Sequence, residues 1–240
     1  MDNTRLRWNT INDICTVCRK MWQRGWVANH DGNASVKIDG EILATPTAVS
    51  KADIIPEIIL TLDLDGKKLA GPGRPFSEIQ LHLAAYRSRA DVFAVVHAHP
   101  PYATARGACG MALDEPFIPE SVVSLGDRVP VAPFAMPGAP ENEKIVADML
   151  RVSNVFMLPG NGILAVGTDV MQAYLRLELA EHLAHMDFIA HHVGRPFELS
   201  DGDKAKLLEK HAAAFPVSPQ TSSEKLVELI TEEILAIMQR

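Results

Sequence analysis

Val92-Phe93-Ala94-Val95-Val96-His97-Ala98-His99-Pro100 is the stretch on which the fold turns. A short apolar run rich in valine reads as a buried strand, and it closes on His-Ala-His. Residues i and i+2 of a strand point to one face, so His97 and His99 stand side by side, about 7 Å apart along it. Pro100 removes the next backbone donor and ends the pairing, leaving the imidazoles at a strand end where other elements can join them. Glu78, nineteen residues upstream, opens the helical segment that leads into the strand. Two imidazoles and a carboxylate suit a divalent cation, zinc foremost, with a coordination position left free. The plainer alternative is two polar residues closing a strand and a first-turn carboxylate favoured by the helix dipole.

Outward from that strand, hairpins alternate with helices. Residues 5–25 read as a helix ending at Gly25, followed by the turn-rich Asn29-His30-Asp31-Gly32-Asn33. Asp39-Gly40 between Ala34–Ile38 and Glu41–Thr45 is a strong hairpin signal. A second hairpin spans 58–70 through Asp65-Gly66, and Ser77 is the expected N-cap of a helix over 78–87. Short helices are expected at 102–109 and from 142 to 149, and strands at 129–134, 155–158 and 162–166. A long helix covers about 169–192. The pattern predicts an α/β chain, a three-layer α/β/α fold around a central, largely antiparallel sheet, within one domain over residues 1–214.

Composition bounds the function. The 240 residues carry a formal net charge of −7, with 47% hydrophobic and 22% charged side chains. No Lys/Arg cluster is available to replace counterions, so nucleic acid is not an expected partner. No apolar run approaches the ~18 residues of a membrane span, and Met1-Asp2-Asn3-Thr4-Arg5 lacks a hydrophobic signal core, so a cytoplasmic setting is expected. Cys15 and Cys18 share one face of the first helix and read as small buried hydrophobes. Cys109 has no basic neighbour to activate it.

The tail differs in kind. Residues 215–223, Phe-Pro-Val-Ser-Pro-Gln-Thr-Ser-Ser, form a linker, and 224–240 reads as an amphipathic helix with Leu226, Val227, Ile230, Ile234, Leu235, Ile237 and Met238 on one stripe.

The ordered set Gly32-Asn33, Thr45-Pro46-Thr47, Pro75-Phe76-Ser77-Glu78, His97-Ala98-His99 and Asn161-Gly162 before a long helix resembles the class II aldolase/adducin family, over roughly residues 5–210. Its best-known members are zinc-dependent fuculose-phosphate aldolases. The resemblance implies that His97 and His99 bind a divalent metal, usually zinc, with a third ligand from the late turn at Asn161. It makes Glu78 the acid/base, and Gly32, Asn33, Thr47, Ala48 and Ser77 the holders of a substrate anion; His30 in the same glycine loop is a further candidate anion contact. It implies a cyclic homotetramer. The chemistry agrees: bond cleavage beside a carbonyl needs a Lewis acid for the developing negative charge, a carboxylate to carry the proton and backbone amides for a phosphate.

Three positions depart from the family. Asn161 stands where the third metal histidine is usual, Ala48 where a glycine follows Thr47, and Phe76 where a serine precedes Ser77. The last two favour a different or non-phosphorylated anion. His82, His182 and His185 are either supporting imidazoles, His82 orienting Glu78 and one of the others replacing the missing ligand, or ordinary packing residues. The expected activity is retro-aldol cleavage of a small hydroxy-ketone sugar or its phosphate. A decarboxylase, dehydratase or 4-epimerase of the same fold and a non-catalytic adducin-like assembly domain are the rivals. The linker and tail helix also resemble the encapsulation peptides that bring cargo to a bacterial microcompartment shell; docking on the tetramer is the alternative.

Overall fold

Alternation along the strands sorts their side chains onto two faces, and each face carries its own core. The computed structural model describes residues 3–136 and 138–214. The linker and tail helix expected over 215–240 lie outside the described residues.

Seven strands form one sheet: β1 (Asn33–Ile38), β2 (Glu41–Ala44), β3 (Leu60–Leu62), β4 (Lys68–Ala70), β5 (Ala94–Ala98), β6 (Val155–Met157) and β7 (Ile163–Gly167), in the order β4-β3-β2-β1-β5-β7-β6. Every pairing is antiparallel. The β1–β2 turn has Asp39 at φ +51° and Gly40 at φ +78°, the two positive dihedrals a tight hairpin requires.

Because side chains alternate, Ala94, Val96 and Ala98 of β5 enter one core while Val95 enters the other; Ile163 and Ala165 of β7 divide in the same way from Leu164 and Val166. The first core is closed by α1 (Asn3–Gln23), α3 (Pro101–Ala108), α4 (Pro119–Leu125) and α6 (Val170–Val193). The second is closed by α2 (Ile79–Ser88) and α5 (Glu141–Leu150). Helices on both faces give the expected three layers. Each large aliphatic side chain fully buried there contributes roughly 1.5–3 kcal/mol. Within α1, Ile14, Val17, Cys18 and Met21 face the core at helical spacing. Burial pushes the thiols of Cys15 and Cys18 up to about 11 and about 12, and both stay free, as expected of packing residues.

Some expectations fail for identifiable reasons. No strand forms over 129–134; Val129 and Val131 make only isolated bridges, to Leu113 and Met157, because Pro130 and Pro133 interrupt the donors a strand needs. Ser77 does not cap α2. The cap position is Glu78 itself, without a side-chain cap bond, and the helix begins at Ile79. Neither α4 nor α7 (Asp201–Ala214), which packs on α4, was expected. Among the described residues no helix is long and apolar enough to cross a membrane.

Candidate active site

β5 lies between β1 and β7, and its C-terminal end is where the chemistry gathers. Asn33 of β1 pairs with His97, and β7 pairs with His97 through Leu164. Two glycines let the neighbouring loops close on this end. At Gly162 (φ +71°) a Cβ would lie 2.2 Å from the Ala98 carbonyl oxygen and 2.4 Å from Cδ2 of His99. At Gly32 (φ +67°) it would meet Val27 at 2.4 Å and the His97 carbonyl at 3.2 Å. No side chain fits either place. Beyond Pro100, the buried Glu181 of α6 accepts the Tyr102 and Ala103 amides at the start of α3 and pins the chain that leaves the site.

The two imidazoles converge. Their Nε2 atoms stand 3.2 Å apart, and Oε2 of Glu78 is 3.5 Å from His97 Nε2. The opposite nitrogens decide the protons. His97 Nδ1 is 3.0 Å from the Ile163 carbonyl oxygen, which can only accept. His99 Nδ1 is 3.3 Å from the Asp31 carboxylate, which also accepts. His97 Nδ1 therefore donates to the Ile163 carbonyl, which leaves its Nε2 as the acceptor in the contact with Nε2 of His99. Two imidazole nitrogens and a carboxylate oxygen converge here, atom types that a divalent cation takes once the nitrogens are unprotonated. Burial lowers the His97 pKa, which keeps the ring neutral and its lone pair available. Among the described residues no group of three or more His, Cys, Asp or Glu side chains is gathered as a metal site. Two imidazoles with a nearby carboxylate are what this chain offers.

Glu78 is held from both sides. Nδ2 of Asn161 donates to Oε1 at 2.6 Å and Nδ2 of Asn33 donates to Oε2 at 3.0 Å. Burial pushes the Glu78 carboxyl up, but the His97 imidazole and the two amide donors outweigh it and hold the group below its usual range. Asn161, which the resemblance placed with the metal ligands, thus presents a donor to Glu78. Asn33 is buried, and its Oδ1 has no hydrogen-bond partner.

The expected anion turns lie alongside. Thr47 donates its amide to the Arg74 carbonyl at 2.9 Å, and Pro46 bridges Pro75, so the Thr47-Ala48 turn abuts the segment that leads to Ser77 and Glu78. Ala48 keeps φ +61°, a left-handed conformation natural to the glycine usual there. Ser77 is exposed and, with Glu78, Leu81, Phe134, Leu158 and Asn161, lines a cleft of about 300 Å³. Phe76 is buried against the ring of His82.

The remaining histidines take other places. The His30 side chain is exposed; its carbonyl accepts from Lys51. His82 is fully buried, with Nδ1 2.7 Å from Ser35 Oγ, and that hydroxyl is 2.7 Å from the Tyr86 hydroxyl. His185 stacks on Tyr102 and His182 is exposed. Two residues beside the site carry no functional signal in the sequence. Asp31 reads as a turn residue and Lys51 as a helix start, and neither spacing hints at their long-range partners.

The profile of the Class II Aldolase and Adducin N-terminal domain matches residues 12–188. A 3-oxo-tetronate 4-phosphate decarboxylase from Haemophilus influenzae is 32% identical over 176 residues, covering 71% of this chain and 82% of that protein. An L-fuculose phosphate aldolase from Methanococcus maripaludis is 28% identical over 179 residues, covering 75% of this chain and 96% of the other. A solved L-fuculose 1-phosphate aldolase superposes with a TM-score of 0.77 at 25% identity, over 84% of this chain and 95% of its own. With a profile match across most of the chain and the fold shared, the protein belongs to the class II aldolase and adducin N-terminal domain family.

Proposed function

We propose that the chain is a divalent-metal-dependent lyase that breaks a bond beside the carbonyl of a small hydroxy-ketone sugar or sugar phosphate, with aldol cleavage as the leading reaction. The observation that carries this is the convergence of His97 Nε2, His99 Nε2 and Glu78 Oε2 at the end of β5. A zinc-like ion held by His97 and His99 would supply Lewis-acid stabilisation of the negative charge that builds on the substrate's carbonyl oxygen. Glu78, kept ionised by Asn33 and Asn161, takes the proton from the substrate hydroxyl whose carbon becomes the new aldehyde. The cleft beside Glu78 and Asn161 receives the substrate's carbon chain, and the Gly32-Asn33 and Thr47-Ala48 turns receive its anionic end.

Decarboxylation is the second reading, favoured by the relative from Haemophilus influenzae. It leaves the same charge on the same oxygen and differs in the departing fragment, carbon dioxide instead of an aldehyde. Dehydration and 4-epimerisation draw on the same charge stabilisation. A purely structural adducin-like role gives no reason for both Glu78 oxygens to be held by amide donors. A homotetramer and recruitment to a microcompartment shell through 224–240 belong to the same reading. The tetramer is supported by the family resemblance and the recruitment by the amphipathic pattern of that segment, with docking of the helix on the tetramer as its alternative; deletion of residues 216–240 leaves the oligomer intact if the segment is a recruitment signal and dissociates it if the helix belongs to the tetramer.

The experiment is to incubate protein supplemented with zinc or manganese with L-fuculose 1-phosphate and, separately, with a 3-oxo-tetronate 4-phosphate, following aldehyde and carbon dioxide release. Turnover that falls about 10²–10⁴-fold in Glu78→Gln supports the reading. Turnover indifferent to Glu78→Gln or to removal of the metal would sink it.

A further inference from the structure

α6 is apolar on two faces. Toward the first core it presents Ala173, Leu177, Ala180 and Ala184, all buried. On the opposite side Leu175, Leu179, His182, Met186, Ile189 and Val193 follow one another in alternating steps of four and three, the seam spacing of a helix that pairs with another. None of the six is Asp, Glu, Lys or Arg. Leu175 is 50% exposed, Met186 38%, Ile189 42% and Val193 85%, and His182 is exposed as well. A single exposed leucine needs no explanation, but a row of apolar side chains along one helix face marks a contact surface. From Leu175 to Val193 the row runs about 27 Å. The path of the chain says what reaches it. α7 starts beyond the far end of α6 and returns, so that its last residue, Ala214, borders the small cleft lined by Gln172 and Arg176 of α6, beside the first seam residue.

We propose that residues 224–240 dock as a helix on this seam of their own chain, parallel to α6, with Val227 beside Leu179 and Ile237 beside Ile189. The lengths agree. Residues 215–223 reach at most about 30 Å when extended, and a helix over 224–239 is about 24 Å long. The spacings agree as well: Val227, Ile230, Ile234 and Ile237 are separated by three, four and three residues, as are Leu179, His182, Met186 and Ile189. On such a helix Glu228 and Glu232 fall on the side away from this set, toward water. Because Ala214 stands at the Leu175 end, a helix beginning there needs only a short return of the linker and then runs in the direction of α6. The inference rests on the reading of 224–240 as an amphipathic helix and not on the lyase chemistry. One stripe serves both docking and capture by a shell, so the two exclude each other, and a shell protein has to displace the helix from α6.

The test uses the full chain carrying Cys109→Ser, which leaves the buried Cys15 and Cys18 as its native thiols. Met186→Cys is combined with Ile234→Cys, and in a second protein Leu179→Cys with Val227→Cys, and each is oxidised mildly. The expected result is a disulfide within one chain, formed about 10-fold or more faster than one between Ile234→Cys and Lys68→Cys on the far edge strand, because docking raises the effective concentration of the facing pair. In the unaltered chain, amide exchange over 224–240 is expected to be slow, and Met186→Lys on the outer face of α6 should speed it by about 10-fold or more with the melting temperature unchanged. No intrachain disulfide in either pair overturns the proposal. So does a covalent dimer, which gives the seam to a second copy. Slow exchange over 224–240 without either disulfide keeps the helix reading and removes its docking on α6; fast exchange in the unaltered chain removes both.

Discussion

The amide nitrogen of Asn161 stands 2.6 Å from Oε1 of Glu78, across 83 residues of sequence, in the turn where the family usually carries a metal histidine. In this chain the side chain there donates to the carboxylate. A hydrogen bond to a charged group is worth about 1.5–3 kcal/mol, so Asn161→Leu is expected to lower turnover roughly 10–100-fold, with zinc affinity falling much less. Steady-state kinetics beside chelator competition checks the split. A loss of zinc affinity equal to the loss of turnover would place Asn161 among the ligands.

His82 should make the domain acid-sensitive. Burial pushes its pKa from 6.5 down to about 3. Between those values the unfolded chain binds the proton and the folded one does not, so stability falls as pH falls through that window and is fully present above it. Between pH 7.5 and 5 the wild type should lose about 2 kcal/mol more than His82→Gln. Urea denaturation at the two pH values, with chelator present, measures the difference; parallel losses would exclude His82 as the source.

Ala48 pays a conformational cost at φ +61°. The left-handed region costs an L-residue about 1–2 kcal/mol, and glycine gives back about 0.5–1 kcal/mol through the freedom of its unfolded chain. Ala48→Gly should therefore stabilise by roughly 0.5 kcal/mol, and the bulkier, β-branched Ala48→Val should destabilise by more than about 1 kcal/mol. Denaturant midpoints read both.

Gly162→Ala should be severe. Its Cβ would overlap the Ala98 carbonyl oxygen and the His99 ring, and neither backbone nor ring can retreat without opening the end of β5. A loss of about 3 kcal/mol or more is expected, with zinc binding lost even where the chain still folds. A variant with wild-type stability and affinity would show that this turn does not pack on His99 as described.

What the sequence made legible followed short-range rules. The Asp39-Gly40 hairpin, the apolar run of β5 and the long helix α6, capped by Asp169 through the Gln172 amide, each carry their signal in adjacent residues. Val129–Phe134 reads as a strand by its apolar residues, but Pro130 and Pro133 deny it the donors and only isolated bridges form. Of the site, residue types and order were readable through the family resemblance, so Glu78, His97, His99, Asn33 and Asn161 were all named. Their pairing was not readable: that both asparagines donate to one carboxylate depends on where β1 and the β6–β7 turn lie in space. Asp31 and Lys51 escaped for the same reason, since one meets an imidazole 68 residues on and the other meets two carbonyls.

The central place of β5 has a kinetic consequence. Its neighbours in the sheet are β1 and β7, so His97 meets Asn33 on one side and, 66 residues later, the Ile163 carbonyl on the other. Closing such long loops is entropically costly and slow, and no hairpin or single helix brings His97, Glu78 and Asn161 together. The site cannot form before the sheet does. If the proposed ion binds only the finished arrangement, it would pull the whole folding equilibrium toward the native state by mass action, and its availability during synthesis would govern how much of the chain escapes aggregation and proteolysis.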